Sequence, residues 1–189
     1  MKKWFVLTMV IALVGCAHTR EHKTQKGAAL PADLQTITTY KFGQSRQPLN
    51  VVEDQVREAV KSSQASKQLA AQLAALLATD ATPECKQFVC RQLVLIGTPA
   101  EAERLAPLLL DPGTADMARY ALEAIPGAKV EKALIAALDD APDSVKPGIL
   151  NTLGARHTQR AAKAVQAYTT HANPTIADAA KSALEQIRG

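Results

Sequence analysis

Aromatic side chains are scarce in this 189-residue chain: one Trp, three Tyr and three Phe. Two of the seven, Trp4 and Phe5, sit at the very start, leaving Tyr40, Phe42, Phe88, Tyr120 and Tyr168. A base-stacking platform for nucleic acid is hard to build from those five. Metal-binding patterns are missing as well. A metal site needs three or four converging donors, with His at helical spacing or Cys in pairs. Here His18 and His22 lie in a polar N-terminal stretch, and His157 and His171 fall at expected turns. No metal or other cofactor is therefore expected. The chain also lacks a serine-nucleophile signature and a glycine-rich phosphate loop, so no small-molecule substrate is evident. Its longest apolar run, residues 4–14, is interrupted only by Thr8. As a helix it spans roughly 17 Å, too short for a hydrocarbon core of about 30 Å.

That run has another use. Lys2 and Lys3 precede it, and Leu13-Val14-Gly15-Cys16 ends it, the layout of a secretory signal. The ending resembles the lipobox of bacterial lipoproteins. The resemblance implies cleavage after Gly15 and lipidation of Cys16, whose acyl chains give stable membrane attachment. Residues 1–15 are then the signal peptide. Loss of Lys2 and Lys3 lowers Lys+Arg from 22 to 20 against 18 acids, and the formal charge from +4 to +2. A nearly neutral chain lacks the basic excess of a nucleic-acid binder. Alanine at position 17, where aspartate favours inner-membrane retention in similar lipoproteins, points to the periplasmic face of the outer membrane.

Residues 16–38 carry scattered charges, Gly27, Pro31 and few large apolar groups, the composition of a lipid-anchored flexible tether. Residues 39–189 form the expected domain, opened by a denser cap segment containing Tyr40 and Phe42. From Asn50 onward the apolar pattern is that of amphipathic helices. They are expected near 50–61, 65–78, 83–96, 99–110, 115–125, 128–138, 144–153, 158–170 and 174–188. Thr98-Pro99-Ala100-Glu101 combines an N-cap, a proline at the first helical position and a capping-box glutamate. Thr82-Pro83 and Asn173-Pro174 repeat the cap-then-proline device. Pro147 is tolerable in the first turn of a helix capped by Asp143 or Ser144. Asp139, Asp140 and Asp143 read as a solvated loop beside that helix start.

Leu93, Leu122, Leu150 and Leu184 recur, followed by Ile96, Ile125, Leu153 and Ile187. The latter are spaced by 29, 28 and 34 residues. Units of this size cannot bury their own apolar faces and stack on their neighbours. The expected fold is all-α, a right-handed α-solenoid of paired antiparallel helices. Residues 50–189 resemble short bacterial HEAT-type repeats. More narrowly, Tyr40-Lys41-Phe42-Gly43-Gln44-Ser45-Arg46, Gln87-Phe88-Val89-Cys90-Arg91-Gln92-Leu93, Met117-Ala118-Arg119-Tyr120-Ala121-Leu122 and Asn151-Thr152-Leu153-Gly154 resemble secreted HEAT-repeat proteins of planctomycete- and verrucomicrobia-like bacteria. That resemblance implies a fold and a binding role and offers no catalytic residues.

The expected role is a non-catalytic, lipid-anchored scaffold that binds a protein partner at the cell envelope. Arg119, Glu123, Asn151, Lys181 and Glu185 lie off the Leu/Ile spine on the second helix of each pair, which lines the concave side of such solenoids. They are the candidate contact residues. The competing reading is a HEAT-like lyase or an accessory factor of an envelope carbohydrate system. Cys85 and Cys90 share one expected helix, where five residues separate their Cα atoms by some 8–9 Å. A disulfide spans at most about 7 Å, so both thiols are expected free. Cys85 joins the apolar face, whereas Cys90 is either covered by the cap segment or faces the groove.

Overall fold

The computed structural model describes residues 31–189. Cys16, the signal segment and the first part of the tether lie outside the described residues. All regular structure among the described residues is helical. Ten α-helices follow in order: α1 (Ala32–Thr36), α2 (Gln47–Ala59), α3 (Ser63–Leu76), α4 (Pro83–Ile96), α5 (Ala102–Leu105), α6 (Ala115–Ala124), α7 (Ala128–Asp140), α8 (Lys146–Ala155), α9 (Ala162–Tyr168) and α10 (Pro174–Arg188). Three short 3-10 turns, Pro99–Glu101, Ala106–Leu110 and Gln159–Ala161, flank α5 and precede α9.

The start signals act as their chemistry requires. Thr82 Oγ1 accepts from Cys85 N (3.2 Å) and Asn173 Oδ1 from Thr175 N (3.0 Å). At Thr98 the capping box closes in both directions, with Glu101 Oε2 accepting from the Thr98 backbone N at 2.7 Å. Other boundaries differ from expectation. The helix expected over 99–110 is two 3-10 turns around the four residues of α5, because Pro107 lacks the N–H that would continue the α-ladder. The one over 158–170 begins as a 3-10 turn and ends at Tyr168. Helix α8 starts at Lys146, with Pro147 in its first turn, and neither Asp143 nor Ser144 caps it: Val145 holds the N-cap position without a side-chain bond.

Packing starts earlier than residue 39. Leu34 and Ile37 are fully buried, so residues 31–38, expected in the tether, belong to the packed body. Two hydrogen bonds tie this entry segment to the start of α4: Thr82 N donates to Thr38 O (2.9 Å), and Thr82 Oγ1 donates to Tyr40 O (2.5 Å).

Helix contacts run in two rows. Helix α4 packs on α6, α6 on α8, and α8 on α10. In the other row α3 meets α5, α5 meets α7, and α7 meets the turn leading into α9. Leu93, Leu122, Leu150, Leu153 and Ile187 are buried between the rows in one continuous core. The α8–α10 contact is the most extensive, and Gly154 explains it. A Cβ there would lie 2.9 Å from Ala183 Cα, so the two backbones approach to a distance only glycine allows.

Candidate functional site

The seam between α6 and α8 gathers two of the residues singled out from the sequence. Arg119 crosses from α6 over Gly148, where a Cβ would stand 3.1 Å from its Nε. Its guanidinium donates to Thr152 Oγ1 (3.3 Å) and lies 3.5 Å from Glu123 Oε2 and 3.4 Å from Asp116 Oδ1. Thr152, fully buried, donates in turn to Glu123 Oε2 at 2.9 Å. Below them, Arg156 Nη1 reaches the carbonyls of Leu122 (2.8 Å), Glu123 (2.7 Å) and Ile125 (2.7 Å) at the end of α6. Burial holds this guanidinium below its ordinary range, opposed by the carboxylates of Glu131 and Glu123. Arg119 and Glu123, one turn apart on α6, are thus tied to each other and through Thr152 to α8 as much as they form a free ridge. Thr152 and Arg156, which complete the network, were not legible as site residues, because one reads as core and the other as a surface cation.

The remaining three candidates are more open. Asn151 on α8 and Glu185 on α10 are exposed, and Lys181 is exposed and pairs with Asp178 of its own helix at 3.0 Å. They project away from the buried Leu150/Leu153 and Ala180/Leu184 rows, as helical phase requires.

On the other side of α6 lies a cleft that the sequence reading did not pick out. Gln87, Cys90 and Arg91 of α4 and Asp116, Met117 and Tyr120 of α6 enclose about 330 Å³. A smaller cavity adjoins it, sharing Gln87 and Arg91 and bringing in Tyr40, Phe42 and Arg46 from the entry segment, Leu49 and Glu53 from α2, and Glu84 from the start of α4. Phe42 is 68% exposed and Tyr120 57%, whereas the other three described aromatics are buried or half-buried. The only sequence signal was that Tyr120 falls out of phase with the Leu/Ile spine; Phe42 lies in a turn before α2 and has no phase to read.

Cys85 and Cys90 are both free and fully buried in α4. Burial pushes the thiol of Cys85 up to about 11 and that of Cys90 up to about 12. Cys90 is therefore the apolar floor of the cleft, since a buried protonated thiol is a poor nucleophile. Histidines serve the turns. His157 takes a left-handed φ of 49° after α8 and bonds through Nδ1 to Gln186 O at 2.6 Å. His171 stacks on Tyr168. The Tyr168 hydroxyl donates to Leu138 O and to Asp139 Oδ1, both at 3.0 Å. Burial first, then that carboxylate, raise it to about 12.

Elsewhere a groove of about 730 Å³ lies between α1, α2 and α3, with Leu34, Val51 and Leu69 on its walls. Among the described residues, no three His, Cys, Asp or Glu side chains are grouped to hold a metal ion, and no helix is long and apolar enough to cross a membrane. No family model, no curated protein and no solved structure matches the chain.

Proposed function

We propose that the chain is a lipid-anchored, non-catalytic scaffold, held at the cell envelope through Cys16, that binds a protein partner on one face of a HEAT-like α-solenoid. The observation that carries this reading is the unbroken contact order α4–α6–α8–α10. It matches the recurrence of Leu93, Leu122, Leu150 and Leu184 at repeat spacing. In a right-handed solenoid of such pairs, the second helices share one continuous surface. The outward side chains of that row, Arg91, Tyr120, Asn151, Lys181 and Glu185, are exposed. Both charge signs occur there together with an aromatic ring, which suits a mixed protein surface better than a uniformly charged polymer. Arg119 and Glu123 support the surface from the side through their bonds to Thr152.

The test is photo-crosslinking in the native envelope. A photoreactive residue at position 151 or 181 is expected to give a discrete protein adduct. The same probe at Lys129 or Lys163, exposed on elements of the other row, is expected to give none. Adducts from 129 and 163 alone, or from no position, would sink the scaffold reading.

A further inference from the structure

We infer that the partner engages the strip Phe42–Arg91–Tyr120 and presents to it a carboxylate beside a bulky apolar side chain, an inference resting on the scaffold reading above. Of the five aromatic side chains past residue 5, the two exposed ones stand on either side of one arginine. Phe42 and Arg91 line the smaller cavity, and Arg91 and Tyr120 line the larger. Large rings held in water have apolar surface still to bury, at about 25 cal/mol per Å². Aromatic and arginine side chains are also the groups that carry most of the energy in protein interfaces.

Charge bookkeeping along the strip singles out the arginine. On one side Arg46 is paired with Glu53 at 2.8 Å, and on the other Arg119 is held by Asp116, Glu123 and Thr152. Arg91 is exposed and makes no ion pair or side-chain hydrogen bond with a described residue. Glu84 lies two turns back, about 10 Å along α4, in the first turn of that helix, where the backbone N–H groups already favour a carboxylate. Glu53 and Glu84 line the smaller cavity and Asp116 the larger, yet Arg91 is the guanidinium of the strip that none of them pairs at ion-pair distance, and so the one with its fork free. A guanidinium recognises a carboxylate through two parallel hydrogen bonds.

The cleft beside it defines the rest of the ligand. A cavity of about 330 Å³ takes one large side chain, and half-buried Met117 lines it with the fully buried Cys90 beneath. Sulfur-lined floors accept apolar groups of varied shape. Besides Arg91, the other side chains around the cavity, Gln87, Asp116 and Tyr120, are polar or amphipathic. A peptide that sets Asp or Glu next to Phe, Leu or Ile satisfies both halves of the site.

The experiment uses the full chain, purified in detergent, to pan a displayed library of random dodecapeptides. The expected consensus places an acidic residue within two positions of a bulky apolar one. The synthetic consensus peptide, titrated by fluorescence polarisation, should bind at least about tenfold more weakly to Arg91→Glu and to Tyr120→Ala, equivalent to about 1.4 kcal/mol. Phe42→Ala should weaken it in the same sense, and Lys129→Glu on the other row should leave it unchanged. Arg91→Gln checks the charge without reversing it, and far-ultraviolet circular dichroism of each variant checks that folding is intact. A basic or carboxylate-free consensus, equal affinity for Arg91→Gln and the parent, or binding of polygalacturonate without any selected peptide would overturn the inference. A chain that crosslinks through positions 151 and 181 but selects no acidic peptide loses this inference and keeps the scaffold reading. A chain without those crosslinks loses the scaffold reading itself.

Discussion

Replacing Arg156 by methionine removes the group that closes the end of α6 while keeping most of the side-chain stem. Three carbonyls surround Arg156 Nη1, but this nitrogen carries two hydrogens, so two donated bonds are shared among them. Hydrogen bonds to charged groups contribute roughly 1.5–3 kcal/mol each, giving about 3–6 kcal/mol before compensation. The bond to Glu123 O is exposed, so water can replace it. Arg156 Nε is buried without a partner, and methionine abolishes that cost. The net loss should therefore lie near 2 kcal/mol. For a folded body of this size that lowers Tm by about 4–8 °C. The assay is thermal unfolding followed at 222 nm, in a soluble chain beginning at residue 17. Arg156→Lys keeps a cation at the helix C-terminus but loses the planar fork, so it should fall between the two. A methionine variant that melts within about 1 °C of the parent would refute the claim that this side chain joins α8 to α6.

Cys16→Ser should abolish labelling by radioactive palmitate and leave an unprocessed precursor; unchanged labelling would remove the anchor. Leu122→Ala should cost roughly 2–5 kcal/mol and, because each unit leans on its neighbours, lower a single cooperative transition in denaturant titration. A second, unshifted transition would show that the rows unfold separately. Both thiols titrate above their ordinary value of 9.0 in the folded chain. The unfolded state therefore releases these protons first, and the thiols' contribution to stability, fully present below about pH 9, should be lost as pH rises from there towards 11. A urea midpoint equal at pH 7.5 and pH 10 would contradict that sign. Native protein at pH 8 should also resist alkylation at both positions, and both should react once it is unfolded.

Repeating apolar spacing made helices α4, α6, α8 and α10 and their buried faces legible, since Leu93, Leu122, Leu150 and Leu184 can be buried only if their helices are. Caps were equally readable where Thr or Asn precedes Pro, because the side-chain oxygen has one obvious donor to serve. Leu34 and Ile37 were missed because a single short turn has no periodicity to display; the surface they pack on comes from distant helices. The site was less legible for the same reason. Helical phase says that Arg119 leaves the core, but its partner Thr152 is 33 residues away, and a buried threonine looks apolar in a pattern. Phe42 and Arg91 line one cavity only because the entry segment is fastened at the head of α4, an arrangement that no local spacing encodes.

The two bonds that fasten residues 38 and 40 to Thr82 set how force would enter an anchored molecule. On the proposed reading, with Cys16 lipidated, a partner drawn away from the membrane would pull on the chain at its entry segment. Load passing residue 40 need not travel through α2 and α3 to reach the rest of the body, because Thr82 takes it directly at the head of α4. Helix α2 shares the load, since α1 packs on it and Gln55 donates to Asp33 of the entry segment. On the proposed reading, the helix that receives the pull is also the one that bears Arg91.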